Sequence, residues 1–275
     1  MFKIFGDSGF DIAFVSVLSF FSLNWIISVI IKNVSIVDII WGLGYAIQLF
    51  CFYFTHTYND FNLVLLILVS FHGLRLAIYI GIRNIGKEED YRYQNFRRKY
   101  GGKQYWWVSF FQVFLLQGII NLAVCTLFGL FIRYSSFDIY NDDINNRNIS
   151  SPNIVLCIIG GIVMHIGTLF ESISDFQLAL FKSKQENKGK LLTYGLWSLC
   201  RHPNYFGETL FWWGGYIYVC SVGLYWTIYC PIIMTLLIIF VSGVAMLEND
   251  ESRKQKYQDQ IDYFNKTAKF IPFIW

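Results

Sequence analysis

Long apolar stretches recur along the chain, near 10–31, 36–54, 61–82, 107–132, 153–173, 205–222 and 226–247. A bilayer's hydrocarbon core gives the backbone no hydrogen-bond partner, so a helix of about 20 apolar residues is the unit that crosses it. Seven such runs in 275 residues, with a mean hydropathy of +0.43, exclude an ordinary soluble domain. Only 15% of the residues are charged, where a soluble chain carries about a quarter, and they cluster between the runs. The fold class that follows is all-α: a polytopic integral membrane helix bundle of about seven transmembrane helices. It reads as a single membrane domain over 1–275, with a polar, Asn-rich outer loop at 133–152. Asp7 and Asp11 stand at the start of the first run, which is long for a signal peptide and lacks a small-residue cleavage site, so it is expected to remain as a helix.

Charge placement sets the expected orientation. With the N-terminus outside, the inner segments collect eighteen basic residues, among them Lys32, Arg83, Arg92, Arg97, Lys182, Lys190, Arg201 and Arg253. The outer segments hold Lys3, Arg133 and Arg147. This positive-inside asymmetry places the C-terminus in the cytosol. The net charge of +3 does not point to nucleic acid. The six cysteines show no CxxC or Cys/His spacing, so they are expected to be free thiols and no metal site is expected. Asn148-Ile149-Ser150 forms a glycosylation sequon in the outer loop.

Polar residues inside spans are expensive and so carry most of the functional signal. Asp38, Trp41 and Tyr45 share a helix face at the inner end of the second span; the acid is either an interfacial carboxylate beside a boundary Trp or part of a site. His72, Arg75 and Tyr79 share a face in the third span. Arg75 needs a counter-ion there, and Asp38 on the adjacent helix is a natural candidate. Glu171, Asp175 and Lys182 fall within about 40° of one another if the fifth helix continues past the membrane surface. A solvated helix end accounts for Lys182 but not for Glu171. Arg201-His202-Pro203-Asn204-Tyr205 precedes the sixth span, which should begin at Pro203, since proline suits the first helical turn. Asn204 and Glu208 then point into the bundle from one face. The free N–H groups of that helix start suit a pyrophosphate, although a snorkelling basic flank gives the same pattern.

These segments, taken in order, carry a resemblance. VDIIWG (37–42), FHGLRLAIYIGIRN (71–84), GKEEDYRYQNFR (86–97), LFESISDFQLALFK (169–182), GLWSLCRHPNYFGE (195–208), VSGVAMLE (241–248) and TAKFIPFIW (267–275) resemble the DUF1295 family. That family is related to steroid 5α-reductases and sterol reductases, and the likeness runs from about residue 35 to the end. It implies reduction of an activated carbon–carbon double bond by NADPH in a lipophilic, steroid- or lipid-like substrate. It also implies a cofactor site lined by Glu171, Asp175, Lys182, Asn204 and Glu208, with Arg201, His202 and Tyr205 as neighbouring extensions. Arg253 and Tyr257 are similar in type to the reductases' cofactor residues. His72 stands where the reductases place a substrate-binding Tyr, and Asp38 is near their substrate-binding acid. His72, backed by Arg75 or Asp38, would then polarise an enone carbonyl. Arg92, Lys182 or Arg253 would select a 2′-phosphate. The run Trp197-Ser198-Leu199-Cys200 departs from the family's usual basic residue after the Trp. No GxGxxG follows a predicted strand, so any nucleotide must bind the bundle itself.

Two other readings stay open. The RHPNY-type motif, with Glu248 and Glu251, also resembles membrane methyltransferases of the isoprenylcysteine carboxyl methyltransferase kind, which use S-adenosylmethionine. A non-catalytic lipid-binding protein of the same fold is the other. By resemblance, the expected membrane in a eukaryotic source is the endoplasmic reticulum.

Overall fold

The computed structural model of the chain describes residues 7–56, 58–136, 151–248 and 261–274. Among these residues there is no strand, and the long helices are α1 (Ser8–Ile31), α2 (Ile36–Thr55), α3 (Asp60–Asn84), α5 (Tyr105–Ser136), α6 (Ile154–Ser183), α7 (Pro203–Cys220) and α8 (Tyr225–Glu248). Two short helices, α4 (Tyr91–Tyr100) and α9 (Ile261–Lys266), complete the set. Each expected span falls on one helix with ends shifted by a few residues, except that α6 runs on to Ser183. Six helices are long and apolar enough to cross a membrane; α7, with eighteen residues and several glycines and polar groups, is not among them. The chain is an integral multi-pass membrane protein. The helices gather into two compact units, Met1–Asn153 and Ile154–Trp275.

In the first unit, Asp7 caps α1 by accepting the Gly9 N–H at 2.9 Å. Lys32 ends that helix in the left-handed region, and the Asn33 N–H returns to the Ser28 carbonyl at 3.0 Å. This C-cap reverses the chain into α2 within a few residues. The α2 and α3 backbones touch where Gly42 faces Gly73: a Cβ on either glycine would collide with the other's carbonyl oxygen. Polar side chains join α5 to its neighbours. Gln48 Nε2 donates to Asn121 Oδ1 at 2.8 Å, Asn121 Nδ2 to the Trp41 carbonyl at 2.9 Å, and Ser135 Oγ to Asn62 Oδ1 at 2.6 Å. In lipid, where apolar burial adds little between helices, close backbone approach and such hydrogen bonds supply the association. A π-helical turn at Phe110–Leu115 interrupts α5 near its start.

The second unit rests on a glycine seam between α6 and α7. Gly160 and Gly167 on one helix, and Gly207 and Gly214 on the other, are each two turns apart and meet in antiparallel register. A Cβ on Gly167 would lie 2.5 Å from the Phe211 nitrogen, one on Gly207 2.6 Å from the Glu171 nitrogen, and one on Gly214 2.5 Å from the Met164 nitrogen. No side chain larger than hydrogen fits, so the two backbones run in contact. At one end of the seam Cys157 Sγ meets Ser221 Oγ at 3.2 Å; at the other Asn204 meets Asp175. The loop from α6 to α7 folds back on α6: Trp197 Nε1 donates to the Ser174 carbonyl at 3.0 Å and the Leu196 N–H to Gln177 Oε1 at 3.0 Å.

Seam glycines should therefore behave unlike a glycine in open space. Gly167→Ala is expected to lower thermal stability in detergent by about 1–3 kcal/mol through overpacking. Gly81→Ala, where a Cβ meets nothing closer than 3.9 Å, should be neutral or stabilising by up to about 1 kcal/mol. Equal melting shifts for the two would contradict the seam.

Candidate functional site

The second unit carries the denser polar constellation. The seam sets the register that brings Glu171 and Asp175 on α6 to the α7 face bearing Asn204 and Glu208. Both α6 acids are buried, at 5% and 3% exposure, and Glu208 is at 7%. Asn204 Nδ2 donates to Asp175 Oδ1 at 3.3 Å, and Trp212 Nε1, one turn on, donates to Glu208 Oε1 at 2.8 Å. Asn204 Oδ1 and the Thr209 hydroxyl are buried and have no hydrogen-bond partner among the described residues. Helix α7 starts at Pro203, with His202 as its N-cap, as the proline rule predicts. Lys182 lies on the same helix as Glu171 and Asp175, but at an exposed end.

Beside the α7 start a second cluster closes around one carboxylate. Glu248, at the end of α8, accepts Arg201 Nη2 at 2.7 Å through Oε2 and faces His202 Nε2 at 2.9 Å through Oε1. Arg201 is also bonded to the Phe264 carbonyl, and its guanidinium lies 5.3 Å from the centre of the Phe264 ring. The Arg201 N–H donates to Ala268 O at 2.8 Å, the Phe273 N–H to Leu199 O at 3.2 Å and the Tyr263 hydroxyl to Trp197 O at 2.6 Å. The 261–274 segment is thus laced to the turn before α7. Tyr205 stacks on His202, with ring centres 5.7 Å apart. Burial pushes the Cys200 thiol in this turn up to about 11, which keeps it un-ionised and inert. Five residues before Glu248, α8 breaks at Gly243, where a Cβ would strike the Ile238 carbonyl.

In the first unit, Asp38 receives Arg92 Nη2 at 2.6 Å and the Tyr93 hydroxyl at 2.8 Å. Both come from α4, a helix the sequence reading did not anticipate. Arg92 also bonds Asp90 Oδ1 through Nε at 2.9 Å, so its charge is committed to two carboxylates. Around them Glu89 takes the Val34 N–H at 2.8 Å and pairs with Arg97, and the Asp90 N–H donates to Ser35 Oγ at 2.7 Å. The loop is thereby pinned to the start of α2. Burial works to raise the Asp90 pKa, but hydrogen bonds from the Arg92 side chain and backbone outweigh it and hold the carboxyl below its ordinary range. Burial, reinforced by the Asp38 charge, pushes Tyr93 well above the usual phenol value. His72 is fully buried on α3 and Arg75 half-buried one turn on. Arg253, Tyr257, Glu251 and the Asn148 sequon lie outside the described residues.

The comparisons with known proteins agree with the segments quoted from the sequence. A family described as protein of unknown function (DUF1295) matches residues 24–268. The chain belongs to the DUF1295 family. Among curated proteins it is similar to the probable O-methyltransferase ustE of Ustilaginoidea virens, 28% identical over 119 residues. That match spans 40% of each chain. No solved structure matches.

Within this DUF1295 chain the α4 anchor gives a pH expectation. Asp90, with its lowered pKa, contributes stability that is complete above the ordinary carboxylate range and is lost as pH falls through its folded value. Tyr93, with its raised pKa, contributes below its ordinary value near 10, and that contribution is lost as pH rises through the higher folded one. Amide exchange at 91–100 should therefore be slowest across the neutral range and faster at both extremes. Arg92→Gln should remove the acid limb and cost about 1–3 kcal/mol by leaving Asp38 poorly paired.

Proposed function

We propose that this protein is a membrane oxidoreductase that binds NADPH in its second unit and reduces an activated carbon–carbon double bond of a lipophilic substrate. The observation that carries the reading is the row Glu171, Asp175, Asn204 and Glu208, buried along the α6–α7 seam at the start of a helix. Buried acids and an amide with an unsatisfied carbonyl suit the hydroxyls and carboxamide of a dinucleotide. Ribose O–H and amide N–H groups donate, while carboxylate and Asn Oδ1 accept. The N–H groups of the α7 first turn suit a phosphate oxygen. Arg201 is already neutralised by Glu248, so it orients the helix start and the 261–274 segment. Lys182, exposed at the end of α6, is the cation assigned to a 2′-phosphate.

When bound, NADPH supplies a hydride equivalent. The chain's own contribution is to hold the cofactor, keep water out with the aromatic residues of α7, and polarise the acceptor. His72, buried on α3, is assigned as the hydrogen-bond donor to the substrate carbonyl oxygen, a role that stabilises a developing enolate. Arg75, one turn on along α3, is assigned as its positioning residue; Asp38, expected as the counter-ion of Arg75, is instead held by Arg92 and Tyr93 of α4. An inner-leaflet orientation, and the endoplasmic reticulum in a eukaryotic source, go with it.

A second reading, transfer of a methyl group from S-adenosylmethionine to oxygen, is favoured by the relative named as a probable O-methyltransferase. The two are separated by calorimetry on the detergent-purified chain. Micromolar NADPH binding that weakens about tenfold or more in Asn204→Ala supports the reductase. Binding of S-adenosylmethionine alone overturns it in favour of the transferase, and binding of neither overturns both. With an enone found by screening, His72→Ala should lower turnover by about 100-fold while NADPH affinity stays near wild type.

A further inference from the structure

The first unit contains a cavity of about 340 Å³ unrelated to the cofactor residues. It lies between the C-terminal end of α1, α4 and the first turn of α5, with Ser28, Lys32, Arg97, Gly102, Tyr105 and Trp106 in its wall. Two cations line it and no carboxylate does. Lys32 projects from the left-handed cap of α1 and makes no ion pair among the described residues. Arg97 gives Nε and Nη2 to Glu89 at 3.0 and 2.9 Å, which leaves Nη1 uncommitted among the described residues. Tyr105 is fully buried beneath Arg97, with 4.8 Å from guanidinium to ring centre. Its hydroxyl has no hydrogen-bond partner among the described residues.

Helix polarity points the same way. Tyr105 and Trp106 belong to the opening turn of α5, whose N-terminus carries partial positive charge. The α1 carbonyls that would repel an anion, Ser28 O and Val29 O, are already covered by the Asn33 and Lys32 N–H groups. The wall therefore offers an ammonium, an unused guanidinium N–H and a buried hydroxyl, a donor set for a compact, multi-oxygen anion.

The setting identifies the carrier of that anion. Trp25 and Trp106 stack at 6.2 Å and are tied by an indole hydrogen bond of 2.7 Å. Trp106 and Trp107 remain 53% and 45% exposed, as in an aromatic belt at headgroup depth. On the cavity's side of α1, Val29 in the wall and Phe14 farther along the helix are exposed and apolar. We propose that this cavity seats the phosphate of an anionic phospholipid, with the acyl chains lying along α1. Basic pockets between helices at the membrane surface bind headgroups in this manner.

Native mass spectrometry of the full chain in detergent tests it, with phosphatidylglycerol, phosphatidylcholine and inorganic phosphate as probes. One phosphatidylglycerol should be retained where phosphatidylcholine is lost. Lys32→Glu, at an exposed position, should weaken retention about tenfold. Tyr105→Phe, which keeps the ring and removes only the hydroxyl, should weaken it about threefold. Equal retention of both lipids, or unchanged retention in both variants, would overturn the site. Displacement of the lipid by millimolar inorganic phosphate would overturn the lipid as occupant in favour of a free anion; persistence against it supports the headgroup.

Discussion

The contact of two backbones along the α6–α7 seam is the constraint on which the second unit depends. Two helices that bury ordinary side chains stand about 8–10 Å apart. Hydrogen at Gly160, Gly167, Gly207 and Gly214 lets this pair come closer, so that each helix backbone meets the other's nitrogen and carbonyl groups. The approach fixes register as well as distance. With Gly207 seated against Glu171, the α7 start comes level with Asp175, and Asn204 Nδ2 comes within 3.3 Å of Asp175 Oδ1. Three acids and an amide are thereby held together in a region where apolar packing could not have held them, because lipid competes equally for apolar surface.

The first unit meets the opposite difficulty, a charge at a helix start that must be kept from lipid. Asp38 sits in the first turn of α2, where the helix dipole favours an anion, but the larger stabilisation comes from Arg92 and the Tyr93 hydroxyl. Because Arg92 is itself held by Asp90, and Asp90 by Ser35, the polar loop after α3 becomes a fixed cover and not a free connector. Breaking any one partner leaves another buried and unsatisfied, which is why such networks act as a unit.

Much of this was legible in the residues. Span positions follow from apolar run length alone, and Pro203 marked the α7 start because a residue without an N–H belongs in a first turn. The Glu171–Asp175 stripe followed from helical spacing once α6 was allowed to continue, and it does. The seam was harder to see. Glycines seven apart on two segments are a signal only when the segments are known to be neighbours, and hydropathy does not report that. The partner of Asp38 was missed for a related reason. Residues 91–100 are too polar to look like part of a membrane unit, yet their tyrosine and arginine side chains pair with the α2 start. The lacing of 261–274 to the α7 turn runs through backbone groups, to which side-chain identity is almost blind.

Glu248 is where the two candidate chemistries diverge. An acid that takes part in binding a sulfonium or amino group needs a face open to that group. Here one oxygen meets Arg201 and the other His202, both nearly buried. Arg201 in turn holds the Phe264 carbonyl and Ala268, so recruiting Glu248 to a cofactor would loosen the 261–274 segment along with it. A dinucleotide held by Asn204, Asp175, Glu171 and Glu208 leaves that lock closed. The reductase reading therefore rests on the buried Asn204 Oδ1, which has no hydrogen-bond partner among the described residues, and on the acids held beside it. A methyltransferase reading that recruits Glu248 would ask the lock to exchange partners, a step that two hydrogen bonds in a nearly dry site make costly.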